Sequence, residues 1–273
     1  RAWLEYTLTE TLGIETELGA DTADAIFDQI SEKLTLDVFR PRAAMDAMNI
    51  EVLATTDAAL DSLDHHGAVL SSDWQGRVIP TFRPDDVLQP WRAGHVKNIA
   101  ELGEMTGEDT ASYAGFLTAI EKRRAHFRSM GATATDHDVP DMITCWLDRS
   151  EIEVLHAKAV KGALDQDETR RYYGHMLVEM AQMSAEDGMV MQIHAGARRS
   201  TNYEVLEKFG ADKGADIPVA TDWVRGLEPL LNRVGNNSDF RMLAFTLDES
   251  TYARELAPMA GHWPCMRLGP PWW

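Results

Sequence analysis

Residues 166–197 read QDETRRYYGHMLVEMAQMSAEDGMVMQIHAGA. Tyr173, Leu177, Met180 and Met183 are spaced by three and four, so they share one side of a helix over Gln166–Asp187. Gly188 stops that helix. The next run, Met189–His194, is short and apolar, which suits a strand buried on both faces. The same succession recurs outward in both directions. Strands are predicted near Asn49–Thr55, Arg77–Phe82, Ala132–Asp136 and Arg241–Leu247, and near His262–Leu268, where Pro264 interrupts the run. Helical patterns lie between them. Asp21 caps Thr22–Leu34, with Ala23, Ile26, Phe27, Ile30 and Leu34 on one face. Asp109 caps a helix running to about Met130, with Phe116, Leu117, Ile120 and Phe127 inward and Gly131 as its stop. Pro218–Val234 and Ser250–Met259 read the same way.

Strands alternating with helices predict βαβ units and right-handed crossovers. No Gly-x-Gly-x-x-Gly follows a strand and no Gly-x-x-x-x-Gly-Lys occurs, which argues against nucleotide-binding halves. The fold class is α/β: one TIM-like (β/α) barrel domain over 1–273, with residues 1–48 as a helical segment before the first visible strand. Such a barrel closes with eight strands, and six are visible. Both ends of the chain read as cut, so the first and last strands are expected to be missing.

The chain has 273 residues, with 26 Lys+Arg against 44 Asp+Glu and a net charge of −18. That acid excess argues against a nucleic-acid partner, which selects a basic face. It leaves room for a small anion, because a few arginines in a cleft override the total. Apolar residues make up 44%, ample for a core. No run approaches 18 apolar residues, so no membrane span is expected. Two cysteines, Cys145 and Cys265, exclude a disulfide scaffold and fit a reducing cytoplasm.

A barrel keeps its chemistry where strands end. Thr55-Thr56-Asp57 follow the first visible strand, Arg83-Pro84-Asp85 the second, and Asp136-His137-Asp138 the third. The fourth ends in His194-Ala195-Gly196-Ala197-Arg198-Arg199, and the fifth in Thr246-Leu247-Asp248. His194 closes an apolar run and precedes a glycine that permits close backbone approach. Arg199 can grip a carboxylate with two parallel bonds. Asp136 can orient His137. Thr55, Thr56 and Asp57 can bind hydroxyls or cap a helix. His65, His66, His126 and His175 read as helix-face residues, and the Met176, Met180, Met183 stripe as core.

Several of these stretches resemble one family. IEVLATTDAALDSLDHH (Ile50–His66), VIPTFRPDDV (Val78–Val87), SMGATATDHD (Ser129–Asp138), the run His175–Asn202 and the closing Trp272-Trp273 are similar to uronate isomerases, also called glucuronate isomerases. The resemblance runs in order over nearly the whole chain. It implies a distorted (β/α)8 barrel of the amidohydrolase superfamily, with the six visible strands as its second to seventh. It implies an aldose–ketose isomerase that interconverts D-glucuronate with D-fructuronate and D-galacturonate with D-tagaturonate. The family's first strand carries His-x-His and its eighth an Asp followed by Arg; neither element is in this sequence. The sixth strand has no histidine, so one divalent metal at most, zinc by preference, is implied. His194 is its single ligand candidate here. Two departures bear on substrate choice: Ser200-Thr201-Asn202 keeps one asparagine of an Asn-rich run, and Thr246-Leu247-Asp248 replaces Leu-Asn-Pro.

The resemblance and the strand-end residues together give the expected site. His194, His137 and Asp136 are the catalytic candidates. Thr55, Thr56, Asp57, Arg83, Arg199, Asn202, Trp272 and Trp273 are the substrate-binding ones. They are expected to converge on one rim, with His194 deepest and the rim locally positive. The partner is a small anionic hexuronate, and a homo-oligomer is compatible with the sequence. Two rivals remain: a mononuclear hydrolase or decarboxylase of the same superfamily, and a barrel kept for binding alone.

Overall fold

A computed structural model describes residues 1–213 and 216–270. Their elements include eight strands: β1 (Val52–Ala58), β2 (Arg77–Arg83), β3 (Ala134–Val139), β4 (Val190–Ala195), β5 (Ala197–Arg198), β6 (Ile217–Pro218), β7 (Met242–Thr246) and β8 (Met266–Leu268). Six form one sheet in the order β1-β2-β3-β4-β7-β8. The pairs β2–β3, β3–β4, β4–β7 and β7–β8 are parallel. The two-residue strands β5 and β6 pair antiparallel with each other. A parallel sheet with sequential strand order and helical crossovers is the layout of a TIM-like barrel.

The described residues fall into two compact units, Arg1–Leu53 with Ala68–Val78, and Ala54–Gly67 with Ile79 onward. The first unit has helices at Ala2–Tyr6, Ala23–Lys33 and Pro41–Ala47. Its small core is Leu8, Ile14 and Ile26. Of the apolar face expected on Ala23–Lys33, Ile26 is buried, but Phe27 and Leu34 are exposed. Trp74 donates through its indole N–H to the Asp46 carboxylate at 3.2 Å, and Arg42 lies over its ring at 5.4 Å.

In the second unit the helices cover one face of the sheet. Phe82 of β2 meets Phe127 of the Tyr113–Ser129 helix edge to face at 5.0 Å. Phe116, Ile120, Leu177, Met191, Met242 and Trp223 complete that layer. The helix Gln166–Asp187 has the bounds its spacing predicts. Asp165 and Glu168 form a capping box at its start, and Gly188 closes it at φ 77°. Ser112, rather than Asp109, caps Tyr113–Ser129 by accepting from Gly115 N–H. Gly131, at φ +96°, turns the chain toward β3.

Three strand boundaries differ from the expected ones, each for a local reason. Asn49 sits at φ 53° just after the Pro41–Ala47 helix, so β1 starts at Val52 and takes in Thr55-Thr56-Asp57. β3 likewise takes in Asp136-His137-Asp138. At the far end His262 is the last residue of the helix Ala257–His262, and β8 begins only after Pro264. A proline has no N–H to give a ladder.

Candidate active site at the strand ends

Alternation along β3 sorts its polar residues. Thr135 is the Cα partner of Phe82, so it faces the helices. His137, two residues on, faces the same way; Asp136 and Asp138 face the other. Register then carries this second face across the sheet: Asp138 pairs with His194, and His194 with Phe245. His194 stacks on Phe245 at 4.5 Å and 19°. Phe245 is partly exposed, while Ala244 and Thr246 beside it are buried. The sheet therefore has one apolar face against helices and one polar face.

On that polar face three predicted residues meet. Asp136 Oδ1 lies 2.6 Å from His194 Nδ1, and its Oδ2 lies 2.7 Å from Arg83 Nη2. Burial opposes ionisation of Asp136, yet the contacts with His194 and Arg83 outweigh it and hold the carboxyl below its usual range. Arg83 also reaches Asp85 with Nε at 3.4 Å. Arg199 joins through Asp138 at 3.8 Å and faces Asp212 at 3.5 Å and Asp216 at 3.9 Å. Three residues earlier Gly196 sits at φ +85°, where any Cβ would lie 2.7 Å from Thr221 Oγ1.

Other predicted residues lie elsewhere. His137 is fully buried on the helix side, with Nε2 3.0 Å from the Thr135 hydroxyl. Burial lowers its pKa to about 3. Pairing it with Asp136 as one catalytic unit fails because adjacent strand residues point to opposite faces. Thr55 and Asp57 share a face of β1 with His66: the Thr55 hydroxyl donates to Asp57 at 2.7 Å and contacts His66 Nε2 at 2.8 Å. Thr56 is exposed on the opposite face. Asn202 caps the helix Tyr203–Phe209, accepting from Glu204 and Val205 N–H at 3.1 and 3.3 Å. Trp272 and Trp273 lie outside the described residues.

The electrostatics correct a further expectation. Arg83, Arg92 and Arg199 are met by Asp85, Asp136, Asp138, Asp212 and Asp216. The rim is not locally positive, because each arginine is held by carboxylates from neighbouring segments. Arg92 and Asp85 were not among the predicted site residues. The Arg83-Pro84-Asp85 run at a strand end is the signal that marks Asp85.

The metal implied by the resemblance does not fit the donors described. Among the described residues, no three His, Cys, Asp or Glu side chains are grouped to hold a metal ion. His194 turns Nδ1 to a carboxylate and supplies one donor at most, where a catalytic zinc takes about three. Among the described residues, no helix is long and apolar enough to cross a membrane.

A parallel, helix-covered sheet whose strand ends carry a linked Arg–Asp–His set defines a protein of the TIM-barrel-like α/β class. Comparison with known proteins is specific. The model of the glucuronate isomerase family matches residues 1–273, and the chain belongs to that family. It is 51% identical over 273 residues to a uronate isomerase of Rhizorhabdus wittichii, covering all of this chain and 59% of that protein. A uronate isomerase of Rhizobium meliloti is 47% identical, with 58% of its length covered. Among solved structures, glucuronate isomerase from Caulobacter crescentus superposes with a TM-score of 0.94 at 44% identity, over 99% of this chain and 57% of that one. Uronate isomerase from Thermotoga maritima gives 0.91 at 29%, over 100% and 60%. The chain thus spans a little under three fifths of the length of the relatives it matches.

Proposed function

We propose that the protein carrying this chain interconverts D-glucuronate with D-fructuronate and D-galacturonate with D-tagaturonate, moving a proton between C2 and C1 through an enediol. The observation that carries this reading is the continuous Arg83–Asp136–His194 line on the polar face at the strand ends. The reaction needs a base near C2, a polarised C1 oxygen and a grip on the distal carboxylate. A carboxylate at Nδ1 favours the proton there, which makes Nε2 the basic nitrogen of His194. Asp136, kept ionised, stabilises the imidazolium that forms when His194 takes a proton. Arg83 fixes Asp136 in turn. Arg199 is the carboxylate clamp: its ion pairs to Asp138, Asp212 and Asp216 are long, and a substrate carboxylate offers a closer, two-pronged partner.

The test is incubation of D-glucuronate and D-galacturonate in D2O, followed by proton NMR. Ketose and exchange at the transferred position are expected. His194→Asn is expected to cut turnover by roughly 10²–10⁴. Neither ketose nor exchange with either uronate would defeat the reading. Arg199→Ala is expected to weaken uronate binding while leaving an uncharged hexose analogue unaffected; an unchanged affinity for the uronate would move the clamp to Arg83.

A further inference from the structure

Asp85 opens the short helix Asp85–Leu88 just after β2 and is 1% exposed. Its Oδ2 accepts from Asp138 N–H at 3.2 Å, and lies 3.4 Å from Arg83 Nε and 3.5 Å from Arg92 Nη2. Its Oδ1 is buried without a hydrogen-bond partner. Arg92 is fixed on its other side by Gln89 Oε1 at 2.6 Å, and Gln89 Nε2 donates to the Asp138 carbonyl at 2.6 Å. One buried carboxyl thus sits against two guanidiniums at the strand ends, and one of these holds Asp136.

We propose that Asp85 is a positioning residue that sets how tightly the strand-end arginines hold the carboxylate of a hexuronate. The inference rests on the anionic substrate proposed above. Ionised, Asp85 cancels one of the two charges on Arg83 and Arg92. Protonated, it lowers the negative charge around the pair by one, with Asp136 still on Arg83 and Asp138 on Arg92, while keeping its place against Asp138 N–H.

Groups from every packed element bear on this. Arg83 comes from β2, Arg92 and Gln89 from the segment after it, Asp138 from β3, Tyr173 from the helix Gln166–Asp187, and Asp86 from the same turn. Burial lifts Asp85 to about 7, against the pull of Arg83 and Arg92 and with help from Asp138. Burial also raises Tyr173 well above its ordinary value, so it stays neutral. Asp86 is raised as well, chiefly by burial, and needs its own control.

The experiment uses L-gulonate, which keeps the carboxylate and hydroxyls of D-glucuronate but has no carbonyl to isomerise. Binding is measured by calorimetry at pH 6 and pH 8, where the ligand is ionised throughout, with sorbitol as the neutral control. The wild-type protein is expected to bind L-gulonate about tenfold more tightly at pH 6, the effect of one unit charge acting over about 12 Å near a protein surface. Sorbitol is expected to show no step. Asp85→Asn is expected to bind at pH 8 as the wild type does at pH 6, with the step gone, and Asp86→Asn to keep the step. A step that survives in Asp85→Asn, or a wild type with no step, overturns the proposal; the missing wild-type step does so even if the variant does not fold. Binding without an Asp85-dependent step defeats this inference alone, whereas no binding at either pH defeats the hexuronate reading with it.

Discussion

His137 lies fully buried against the helix layer, with Nδ1 lacking a hydrogen-bond partner. Burial holds its folded pKa near 3, far below the ordinary 6.5. As pH falls through 6.5 the unfolded chain takes up a proton that the folded chain refuses until about pH 3. Stability is therefore full above pH 6.5 and declines as pH drops toward 3, by about 2 kcal/mol between pH 7 and pH 5 from this residue. His95, lowered to about 4 by burial, acts in the same direction. Urea unfolding at pH 7, 6 and 5 checks this: His137→Gln is expected to flatten the decline, and an unchanged slope would refute it. The chemical character of this site was legible in the sequence, since Arg83, Asp136, His194 and Arg199 were all chosen from strand ends. The facing of each side chain was not. A strand boundary two residues off leaves the residue types correct and still pairs His137 with Asp136, although the pleat separates them. The cap at Asn202 was not legible either, because cap and substrate ligand call for the same side-chain oxygen.

At the scale of elements, the helices Tyr113–Ser129 and Gln166–Asp187 are bound by a bidentate pair. Arg124, 1% exposed, donates to Asp187 at 2.7 and 3.0 Å and to the Ser184 hydroxyl at 3.0 Å. Asp187→Ala leaves that guanidinium without its countercharge and is expected to cost about 3–5 kcal/mol in chemical unfolding. Asp165→Ala, which removes the capping-box acceptor at the other end of the same helix, is expected to cost about 1 kcal/mol. A smaller loss for Asp187→Ala than for Asp165→Ala would show that the pair is not a main tie between the helices. The bounds of this helix were legible because spacing and glycine agree. β8 was not, because a three-residue strand after a proline leaves little periodicity to read.

At the scale of the whole chain, the charge of −18 and the matched arginines give the site no long-range attraction for an anion. On the proposed activity, encounter with a uronate would be slowed by the field, which salt relieves within a Debye length of roughly 10 Å at 0.1 M. kcat/KM for D-glucuronate is expected to rise as salt goes from 10 to about 150 mM. A steady fall would indicate a steering field of the opposite sign. The fold class was legible because six alternations leave few topologies.

The short connection from Gly131 to Ala134 has a consequence for how this chain can change length. Gly131 makes the turn, and a Cβ there would lie 3.0 Å from the Ile79 side chain. Dropping one residue leaves a loop that still closes but rotates β3 by one pleat. Asp136 and Asp138 would then enter the oily layer beside Phe82 and Phe127, and His137 would emerge among the arginines. A single-residue deletion scan of 130–133 is expected to abolish accumulation of folded protein, while deletions in the exposed segment around Ala211 are expected to be tolerated. Drift in length is barred at this joint by a rule of parity, however permissive the local composition.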